Sequence, residues 1–267
     1  MTHSSTKPLA VVTGASSGIG FELAKQFAQS GFDLLVTSGS DGIEKSAQQL
    51  KMLGADVETV QANLAEYDGV KQLYGKIKAA GRPVDAIAIN AGLGVSGDFA
   101  RQTDLEAELN LINLNVVSTV QLAKRVVKDM VDRGQGRILF TSSIAATMPG
   151  PYEAIYAASK AFISSFSEAI RNELKDSGVT VTALMPGPTE TNFFHRAGMD
   201  DTKIGSSEKD DPAEVARQGY EALMAGKDKV VGGSFKNKAE ALAANVLPET
   251  ATAAIHRSMA APGSAKK

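Results

Sequence analysis

The sequence predicts an α/β fold in which a doubly wound parallel sheet carries helices on both faces. Short apolar runs alternate with helically spaced segments along most of the 267 residues, which is typical of such a sheet. The apolar runs are nearly continuous, as expected of strands that are buried on both sides. A glycine-rich stretch, Thr13–Gly20, joins the first apolar run to the first helical segment. Together these observations predict a single domain.

Seven segments are predicted as strands because they are short, apolar and bounded by turn residues. They are Leu9–Thr13, Phe32–Thr37, Val57–Gln61, Val84–Asn90, Arg137–Ser142, Val179–Met185 and Lys229–Val231. Six segments with apolar residues at helical spacing are each followed by glycine, a common signal for the end of a helix. They are Gly18–Ser30, Gly42–Leu53, Tyr67–Ala80, Leu105–Arg133, Ala154–Ser177 and Pro212–Ala225. The long helix Leu105–Arg133 is apolar on more than one face, so it is expected to pack on the sheet or on another subunit.

The main domain is predicted to span residues 9–235, after a flexible start at residues 1–8. Inside it, the long irregular segment 186–211 is expected to be functional, because structureless loops of that length are uncommon. Residues 236–259 are predicted to form a helical extension that covers either a pocket or a neighbouring subunit. The last residues, 260–267, are small and charged and are expected to be disordered. The apolar stripe of the extension consists of Ala241, Leu242, Asn245, Val246 and Leu247.

Composition excludes several classes of protein. The chain has no cysteine, which excludes disulfides, thiolate catalysis and Cys-ligated zinc, and no metal site is predicted. The formal net charge is −2 without a long run of one sign, so no nucleic-acid partner is expected. No stretch of about 18 apolar residues is present, and the polar start does not have the pattern of a signal peptide. We therefore expect a cytoplasmic protein without a membrane partner.

The glycine-rich stretch Thr13–Gly20 is expected to bind the pyrophosphate of a dinucleotide. It follows a strand and opens a helix, whose N-terminus offers free N–H groups and the positive end of the helix dipole. The glycines permit a tight turn and a close approach, and Ser16 and Ser17 add hydroxyl donors. The spacing is a variant of the usual three-glycine fingerprint, and alone it also fits an ordinary turn between a strand and a helix.

A second motif places Tyr156 and Lys160 four residues apart, on one face of a predicted helix. An unperturbed phenol titrates at about pH 10. A neighbouring ammonium group favours the phenolate, so Lys160 is expected to lower the pKa of Tyr156 toward neutrality. Such a tyrosine suits a general acid or base acting on an alcohol or a carbonyl group.

Six motifs follow one another along the chain: Thr13–Gly20, Asn90-Ala91-Gly92, Asn115, Ser143 thirteen residues before Tyr156, Lys160, and Pro186-Gly187. In this order and at these gaps, they resemble the short-chain dehydrogenase/reductase family. The resemblance spans Leu9 to about Thr191 and continues more loosely to Val231. It implies that residues 9–235 form a Rossmann-like dinucleotide-binding catalytic domain that uses a nicotinamide cofactor.

The resemblance also implies four catalytic residues. Tyr156 matches the acid or base, and Ser143 matches the hydrogen-bonding partner of the substrate oxygen. Lys160 matches the residue that holds the nicotinamide ribose and lowers the pKa of the tyrosine, and Asn115 matches the proton-relay asparagine. Neighbouring residues of the same type compete for the serine and asparagine roles: Ser142, Asn110 and Asn113.

Most of the cofactor-binding residues implied by the resemblance lie in the glycine loop or after predicted strands, and two, Tyr156 and Lys160, lie on a predicted helix. They are Gly14, Ser16, Ser17, Gly18, Ile19, Gly20, Ser38, Gly39, Ser40, Asn63, Leu64, Asn90, Ala91, Gly92, Tyr156, Lys160, Pro186, Gly187, Thr189 and Thr191. Relatives commonly carry aspartate at the position of Asn63, but an amide carbonyl can also accept a hydrogen bond from the adenine amine.

The choice between NADP and NAD depends on the residues after the second strand. Folds that prefer NAD place an acidic residue about 20 positions past the glycine loop, to bind the ribose 2′-hydroxyl. Ser38 occupies that position here, and Gly39 stands where many relatives carry arginine. The absence of a carboxylate and the donors of Ser38–Ser40 favour NADP. The nearby Asp41 keeps NAD open, because a small shift of the loop would bring its carboxylate to the ribose.

The substrate pocket is expected to be mostly apolar. Its predicted lining consists of Val95, Ser143, Met148, Phe193, Phe194 and Met199. Basic residues are few in the loop after Pro186, so a small neutral ketone, aldehyde or secondary alcohol is expected as substrate. The phenylalanines fit an apolar lid, and they fit equally a short surface helix over 191–197 that packs on the core.

Two further functions remain open at this stage. Arg133 and Arg171 stand where acyl-carrier-protein reductases of the family carry basic docking residues, so a carrier-linked reductase is one alternative. A cofactor-binding sensor without turnover is the other. The two long helices are the pair through which family members usually associate, so a homodimer or homotetramer is expected.

Overall fold

The computed structural model describes residues 7–244 and 246–266. Its seven strands form one parallel sheet in the order β3-β2-β1-β4-β5-β6-β7, which confirms the predicted fold class. The strands are β1 Leu9–Thr13, β2 Asp33–Ser38, β3 Val57–Gln61, β4 Ala86–Ile89, β5 Gly136–Thr141, β6 Val179–Pro186 and β7 Lys229–Gly232. The strand order reverses between β1 and β4. Ligands of open α/β sheets bind at such a switch point, outside the carboxyl ends of the strands.

The α-helices cover both faces of the sheet. They are α1 Gly18–Gln29, α2 Gly42–Lys51, α3 Tyr67–Ala79, α4 Leu105–Ile112, α5 Ser118–Arg133, α6 Ala154–Glu173, α7 Phe193–Arg196, α8 Lys203–Ser206, α9 Pro212–Met224, α10 Phe235–Ala244 and α11 Glu249–Ala260. The ends of the predicted helices shift by at most four residues, the largest shift being from Ser177 to Glu173 at the end of α6.

The strands β1 to β6 send alternate side chains into two separate cores, which explains the continuous apolar runs. Val12 packs on the face that α1, α2 and α9 cover, where Phe27 is fully buried. Val11 packs on the opposite face, where Leu73 of α3 and Leu122 of α5 are buried. This burial fixes the sheet, and with it the positions of the loops at its carboxyl edge.

The single helix predicted over Leu105–Arg133 is interrupted by a π-helical turn at Asn113–Val117. The interruption coincides with the buried Asn115, whose side chain bonds the backbone of Leu93 instead of facing solvent. π-Helical turns inside α-helices occur frequently at functional sites. The prediction of one regular helix is therefore wrong over these five residues.

The C-terminal segment is more ordered than the sequence predicts. Residues 260–267 are expected to be disordered, yet Ala260 is fully buried and Ser264 accepts a hydrogen bond from the Lys203 backbone. Asp201 binds this end twice, through its carboxylate to Gly263 N and through its carbonyl to Ala265 N. Lys267 lies outside the described residues, as do Asn245 and the first six positions of the predicted flexible start. Within the described ranges, none of the helices has the length and apolarity needed to cross a membrane.

Candidate active site

A cavity of about 530 Å³ lies at the carboxyl edge of the sheet, around the switch point between β1 and β4. The residues that follow β1 to β6 form one side of it. Residues from α7, α10 and α11 contribute to its lining on the other side. The cavity thus occupies the place where the predicted glycine loop and catalytic residues were expected to meet.

Every predicted cofactor residue lines this cavity. They are Gly14, Ser16, Ser17, Gly18, Ile19, Gly20, Ser38, Gly39, Ser40, Asn63, Leu64, Asn90, Ala91, Gly92, Tyr156, Lys160, Pro186, Gly187, Thr189 and Thr191. They come from many separate segments of the chain. The topology brings them together because the strands that precede them are parallel neighbours.

Three glycines are required by the geometry of the loop. Gly14 and Gly18 have φ angles of +70° and +56°, a left-handed conformation that glycine adopts without strain. Gly20 has no room for a side chain, because a Cβ atom there would overlap the carbonyl oxygen of Gly14 and the side-chain amide of Asn90. The loop backbone therefore lies directly against the end of β4.

The N-terminus of α1 is prepared for an anion. Its first turn carries no acidic side chain, and the N-cap residue Ser17 makes no side-chain capping bond. The unbonded N–H groups of the first turn and the helix dipole favour a negative group there.

The ends of β1, β4 and β5 are joined by side-chain hydrogen bonds. The hydroxyl of Thr13 accepts bonds from the backbone N–H groups of Asn90 and Ala91, both at 2.9 Å. The amide group of Asn90 donates to the Thr13 carbonyl at 3.1 Å and accepts from the Thr141 hydroxyl at 3.0 Å. Asn90 is thereby explained as a residue that fixes the sheet edge beside the glycine loop.

Three serine hydroxyls form a triangle at the end of β2. The Oγ atoms of Ser16 and Ser38 lie 2.9 Å apart, those of Ser38 and Ser40 lie 3.2 Å apart, and those of Ser40 and Ser16 lie 3.0 Å apart. Asp41 does not line the cavity. Its carboxylate accepts a hydrogen bond from the Gln61 side chain at 2.6 Å, so the carboxylate that kept NAD open is held on the outer side of the loop.

Ser143, Tyr156 and Lys160 meet in the same cavity. Ser143 stands just after β5 and hydrogen-bonds to Tyr156. Lys160 lies one turn after Tyr156 on α6, with Nζ 5.7 Å from the centroid of the tyrosine ring. Its ammonium group donates to the Thr141 carbonyl oxygen at 2.9 Å, which directs it toward the end of β5.

Burial dominates the ionisation of these groups. It raises the pKa of Tyr156 well above its usual value, and the charge of Glu153 adds to the effect, while the hydrogen bond with Ser143 opposes it. Burial also lowers the pKa of Lys160 to about 8. The expectation that Lys160 lowers the pKa of Tyr156 is thus wrong in this structure, because burial outweighs every other contribution.

Asn115 lies behind the cavity and is not part of its lining. Its side-chain oxygen accepts from Leu93 N and its amide donates to Leu93 O, each at 3.0 Å. The same amide donates to the Ser159 hydroxyl at 3.0 Å, and Ser159 in turn donates to the Tyr156 carbonyl. The side chain therefore links the π-helical turn to the helix that carries the tyrosine.

The structure also separates the competing residues. Asn110 and Asn113 are exposed, unlike Asn115. The hydroxyl of Ser142 is buried and donates to the carbonyl of Lys160 at 2.8 Å, so it supports α6. Ser143 is the serine that contacts the tyrosine.

The predicted substrate lining is only partly brought together. Met148, Phe193 and Phe194 line the cavity, whereas Val95 and Met199 do not. Met199 is fully buried in a small core with Phe194 and Ala260, on the far side of α7. The phenylalanines thus lie on a short helix that packs on this core, as one of the two interpretations predicts, and the same helix faces the cavity.

Sequence reasoning missed the polar part of the lining. Glu153 precedes Tyr156 by one helical turn, and His256 comes from α11, far along the chain. A usable signal was present: Thr252, His256 and Met259 recur at helical spacing and all three line the cavity. The C-terminal extension, which was expected to cover a pocket or another subunit, lines the pocket of its own chain.

The model of the short chain dehydrogenase family matches residues 8–201, more than half of the chain. An uncharacterised short-chain type dehydrogenase/reductase of Sinorhizobium fredii is 35% identical over 192 residues, which cover 71% of this chain and 73% of the relative. The 3-oxoacyl-acyl-carrier-protein reductase of Escherichia coli is 33% identical over 198 residues, covering 74% and 79%. The chain belongs to the short-chain dehydrogenase/reductase family of oxidoreductases.

Solved structures agree with this assignment. A short-chain dehydrogenase from Sphingobium yanoikuyae, determined in complex with NADPH, superposes with a TM-score of 0.77 at 30% identity. The match covers 84% of this chain and 87% of that one. Its similarity extends beyond the stretch that the family model matches.

The residues present fit a nicotinamide dinucleotide. The glycine loop leaves space where side chains would otherwise stand, and the start of α1 offers donors to a pyrophosphate. The sheet edge continues from this anion site to Ser143, Tyr156 and Lys160 within one cavity. A dinucleotide lying along that edge would have one end beside the serine triangle and the other beside the tyrosine.

Proposed function

We propose that this protein is an NADP-dependent carbonyl reductase or alcohol dehydrogenase, with Tyr156 as the general acid or base. The observation that carries the proposal is the meeting of Ser143, Tyr156 and Lys160 in the cavity that also contains the glycine loop. A bound nicotinamide supplies a hydride to a carbonyl carbon, or accepts one from an alcohol.

The protein residues bind the substrate oxygen and supply its proton. Ser143 hydrogen-bonds the substrate oxygen and orients it toward Tyr156. In reduction, the Tyr156 hydroxyl donates its proton to that oxygen as negative charge develops on it. The raised pKa of the buried phenol keeps Tyr156 protonated at neutral pH, which is the form that donates a proton. Lys160 provides a donor for the nicotinamide ribose, and Asn115 acts as a positioning residue behind α6.

The proposed substrate is a small, mostly apolar ketone or aldehyde, or the corresponding secondary alcohol. The Phe193 ring lies 5.2 Å from that of Tyr156, and Met148 and Leu247 also line the cavity, which favours a substrate with an apolar body. Apolar walls of this kind would also help to exclude water from the path of the hydride once a substrate fills the cavity.

The preference for NADP is supported by the serine triangle. Three hydroxyls and the nearby start of α2 offer donors to a 2′-phosphate, and the engaged Asp41 is held outside the cavity. A carboxylate at Ser38 would instead repel that phosphate and bind the ribose 2′-hydroxyl.

The test is the oxidation of NADPH and NADH by the purified protein with a panel of ketones and aldehydes. We expect turnover that prefers NADPH and falls by about 10²–10⁴-fold in Tyr156→Phe, because the phenylalanine cannot donate a proton. Cofactor binding should remain, since the hydroxyl is the only group removed. Tight cofactor binding without turnover on any carbonyl would point to a sensor and contradict the enzymatic proposal.

A carrier-linked reductase is the second candidate, supported by the similarity to the E. coli 3-oxoacyl reductase. Both arginines that suggested this candidate are engaged in hydrogen bonds with backbone carbonyl groups of the same chain. Arg133 donates to the Val84 carbonyl at 2.7 Å, and Arg171 donates to Val181 and Gly226 at 2.7 and 3.0 Å. Activity on a 3-oxoacyl group bound to carrier protein, absent when the same group is on a short thioester, would favour this candidate.

We also propose a homodimer or homotetramer built on α4, α5 and α6. Leu105 and Leu109 on α4, Val131 on α5 and Phe162 on α6 are 65%, 42%, 38% and 41% exposed, more than large apolar side chains usually are. Light scattering of the purified protein should give two or four times the mass of one chain.

A further inference from the structure

Helix α11 places a histidine against the start of the helix that carries Tyr156. Nε2 of His256 lies 3.3 Å from Oε2 of Glu153, and the two side chains are only 8% and 5% exposed. Nδ1 of His256 lies 3.2 Å from the carbonyl oxygen of Pro151. Because a carbonyl oxygen can only accept, Nδ1 carries a proton, and the contact with Glu153 accommodates a second one.

Glu153 is the charged residue that acts on the tyrosine. It precedes Tyr156 by three positions, lines the same cavity and raises the pKa of the phenol through its negative charge. A protonated His256 would form an ion pair with this carboxylate, since Nε2 and Oε2 lie 3.3 Å apart. The histidine thus balances a carboxylate that is buried next to the proposed proton donor.

We propose that His256 is a positioning residue of the active site, through which the C-terminal helix sets the charge beside Tyr156. The inference rests on the proposed role of Tyr156 as general acid or base. It adds a component from residues 249–260, beyond the stretch 8–201 that the family model matches.

A second set of contacts shows that α11 holds the same loop. Tyr152 has a φ angle of +69°, a strained conformation for a residue with a side chain, so the surrounding structure must stabilise it. The guanidinium carbon of the neighbouring Arg257 lies 5.0 Å from the centroid of the Tyr152 ring. The loop Pro151–Glu153 is therefore held by α11 at three successive residues.

Other charged groups line the cavity as well. They are Lys160 on α6, Arg196 at the end of α7 and Glu240 on α10. Lys160 donates to the Thr141 carbonyl, and in the described part of the chain Glu153 is the one charge that shifts the pKa of Tyr156. The pair is therefore the place where a change of one charge should act on the tyrosine.

The proposal predicts shifts of opposite sign in two variants. Glu153→Gln removes the negative charge and should lower the pH at which the phenolate forms by about one pH unit. His256→Gln leaves the carboxylate alone and should raise that pH by a similar amount. Alcohol oxidation requires the phenolate, so below the midpoint it should be about tenfold faster in the first variant and about tenfold slower in the second.

The matched control is His195→Gln. His195 carries the same side chain beside a carboxylate, since its Nδ1 lies 2.8 Å from Asp200, but both side chains are well exposed. The measurements are the pH profile of kcat/KM for alcohol oxidation and the ultraviolet titration of Tyr156 with NADP⁺ bound, as the difference from Tyr156→Phe. The titration needs no turnover, so it tests the pair even if the proposed reaction fails.

The outcomes separate the two proposals. If the midpoint of phenolate formation shifts in opposite directions in Glu153→Gln and His256→Gln and does not shift in His195→Gln, the role of His256 is supported. Shifts of the same sign, or shifts no larger than in the control, overturn it while leaving the enzyme assignment intact. Should His256→Gln not fold, the double variant Glu153→Gln/His256→Gln provides the test, because its facing amides can bond each other. With both charges removed its midpoint should lie close to that of the wild type, and a midpoint as low as in Glu153→Gln would overturn the role of His256.

Discussion

The two sides of the cavity are built differently. We call the glycine loop and the strand ends from Gly14 to Gly92 the nucleotide side, and the segments α7, α10 and α11 the helical cover. The nucleotide side consists of backbone, with glycines and short polar residues that leave it accessible. The helical cover, which includes the short connection between α10 and α11, consists of side chains such as Phe193, Leu247 and His256. A backbone site limits the residue types that fit it, whereas a side-chain site can be built from many sequences.

The largest effect on the nucleotide side is expected from a side chain placed where the glycine loop comes closest to the sheet. A methyl group in Gly20→Ala would overlap the Gly14 carbonyl and the Asn90 amide, so the loop must move away from the sheet. We expect cofactor affinity to fall by about 100-fold or more, and the free energy of unfolding to fall by about 1–3 kcal/mol. Isothermal titration with NADPH and urea denaturation would measure the two effects.

Gly75→Ala is the matched control. Gly75 lies on the exposed face of α3, and a Cβ atom there would meet nothing within 4 Å. The same substitution should raise stability by about 0.5–1 kcal/mol, because alanine is the better helix former. Unchanged cofactor affinity in both variants would contradict the role of Gly20.

The buried Lys160, which belongs to neither side, can be tested through the pH dependence of the free energy of unfolding. Lys160 has a pKa of about 8 in the folded chain, whereas an exposed lysine titrates at 10.5. Between these values the unfolded chain binds the proton more tightly, so stability should rise with pH, by about 3 kcal/mol in total. Above about pH 10 the raised pKa of Tyr156 reverses the sign, since the unfolded phenol then ionises first.

Urea denaturation of the cofactor-free protein from pH 7 to pH 10 would measure this rise. In Lys160→Met the buried group no longer titrates, so the rise should disappear while the overall stability at pH 7 increases. A wild type whose stability stays constant from pH 8 to pH 10 would show that Lys160 keeps its ordinary pKa.

A smaller effect is expected from a substitution that reverses the cofactor specificity of the nucleotide side. Ser38→Asp places a carboxylate within the serine triangle, where it repels a 2′-phosphate and accepts from a ribose hydroxyl. The ratio of kcat/KM for NADPH to that for NADH should fall by about 10–100-fold.

The control for this exchange is Asp41→Asn. Because Asp41 already bonds Gln61 outside the cavity, removing its charge should leave the cofactor ratio within about twofold. A large change in this control, with none in Ser38→Asp, would mean that Asp41 and not Ser38 faces the ribose.

The same contrast explains what could be predicted from the sequence. The strands and the glycine loop were predictable because burial and close backbone approach leave few residue types possible at positions such as Gly20 and Asn90. The residues proposed to be catalytic were found instead from their order and spacing along the chain. Val95 and Met199 were placed in the pocket wrongly, since apolar residues suit a core as well as a cavity. The π-helical turn and the Glu153–His256 contact depend on side chains distant in sequence, which periodicity does not reveal.

The smallest effect concerns the helical cover, where two leucines of one stripe have different positions. Leu247 lines the cavity, whereas Leu242, five residues earlier, is 68% exposed and does not. Leu247→Ala removes apolar surface from the cavity, which should raise KM for an apolar ketone by about three- to tenfold, equivalent to about 1 kcal/mol. Leu242→Ala should leave KM unchanged.

Because the cover acts through contacts with the substrate, KM for NADPH and kcat should change little in either variant. Equal effects of the two substitutions would mean that the cover supports the fold as a whole and does not form a wall for the substrate.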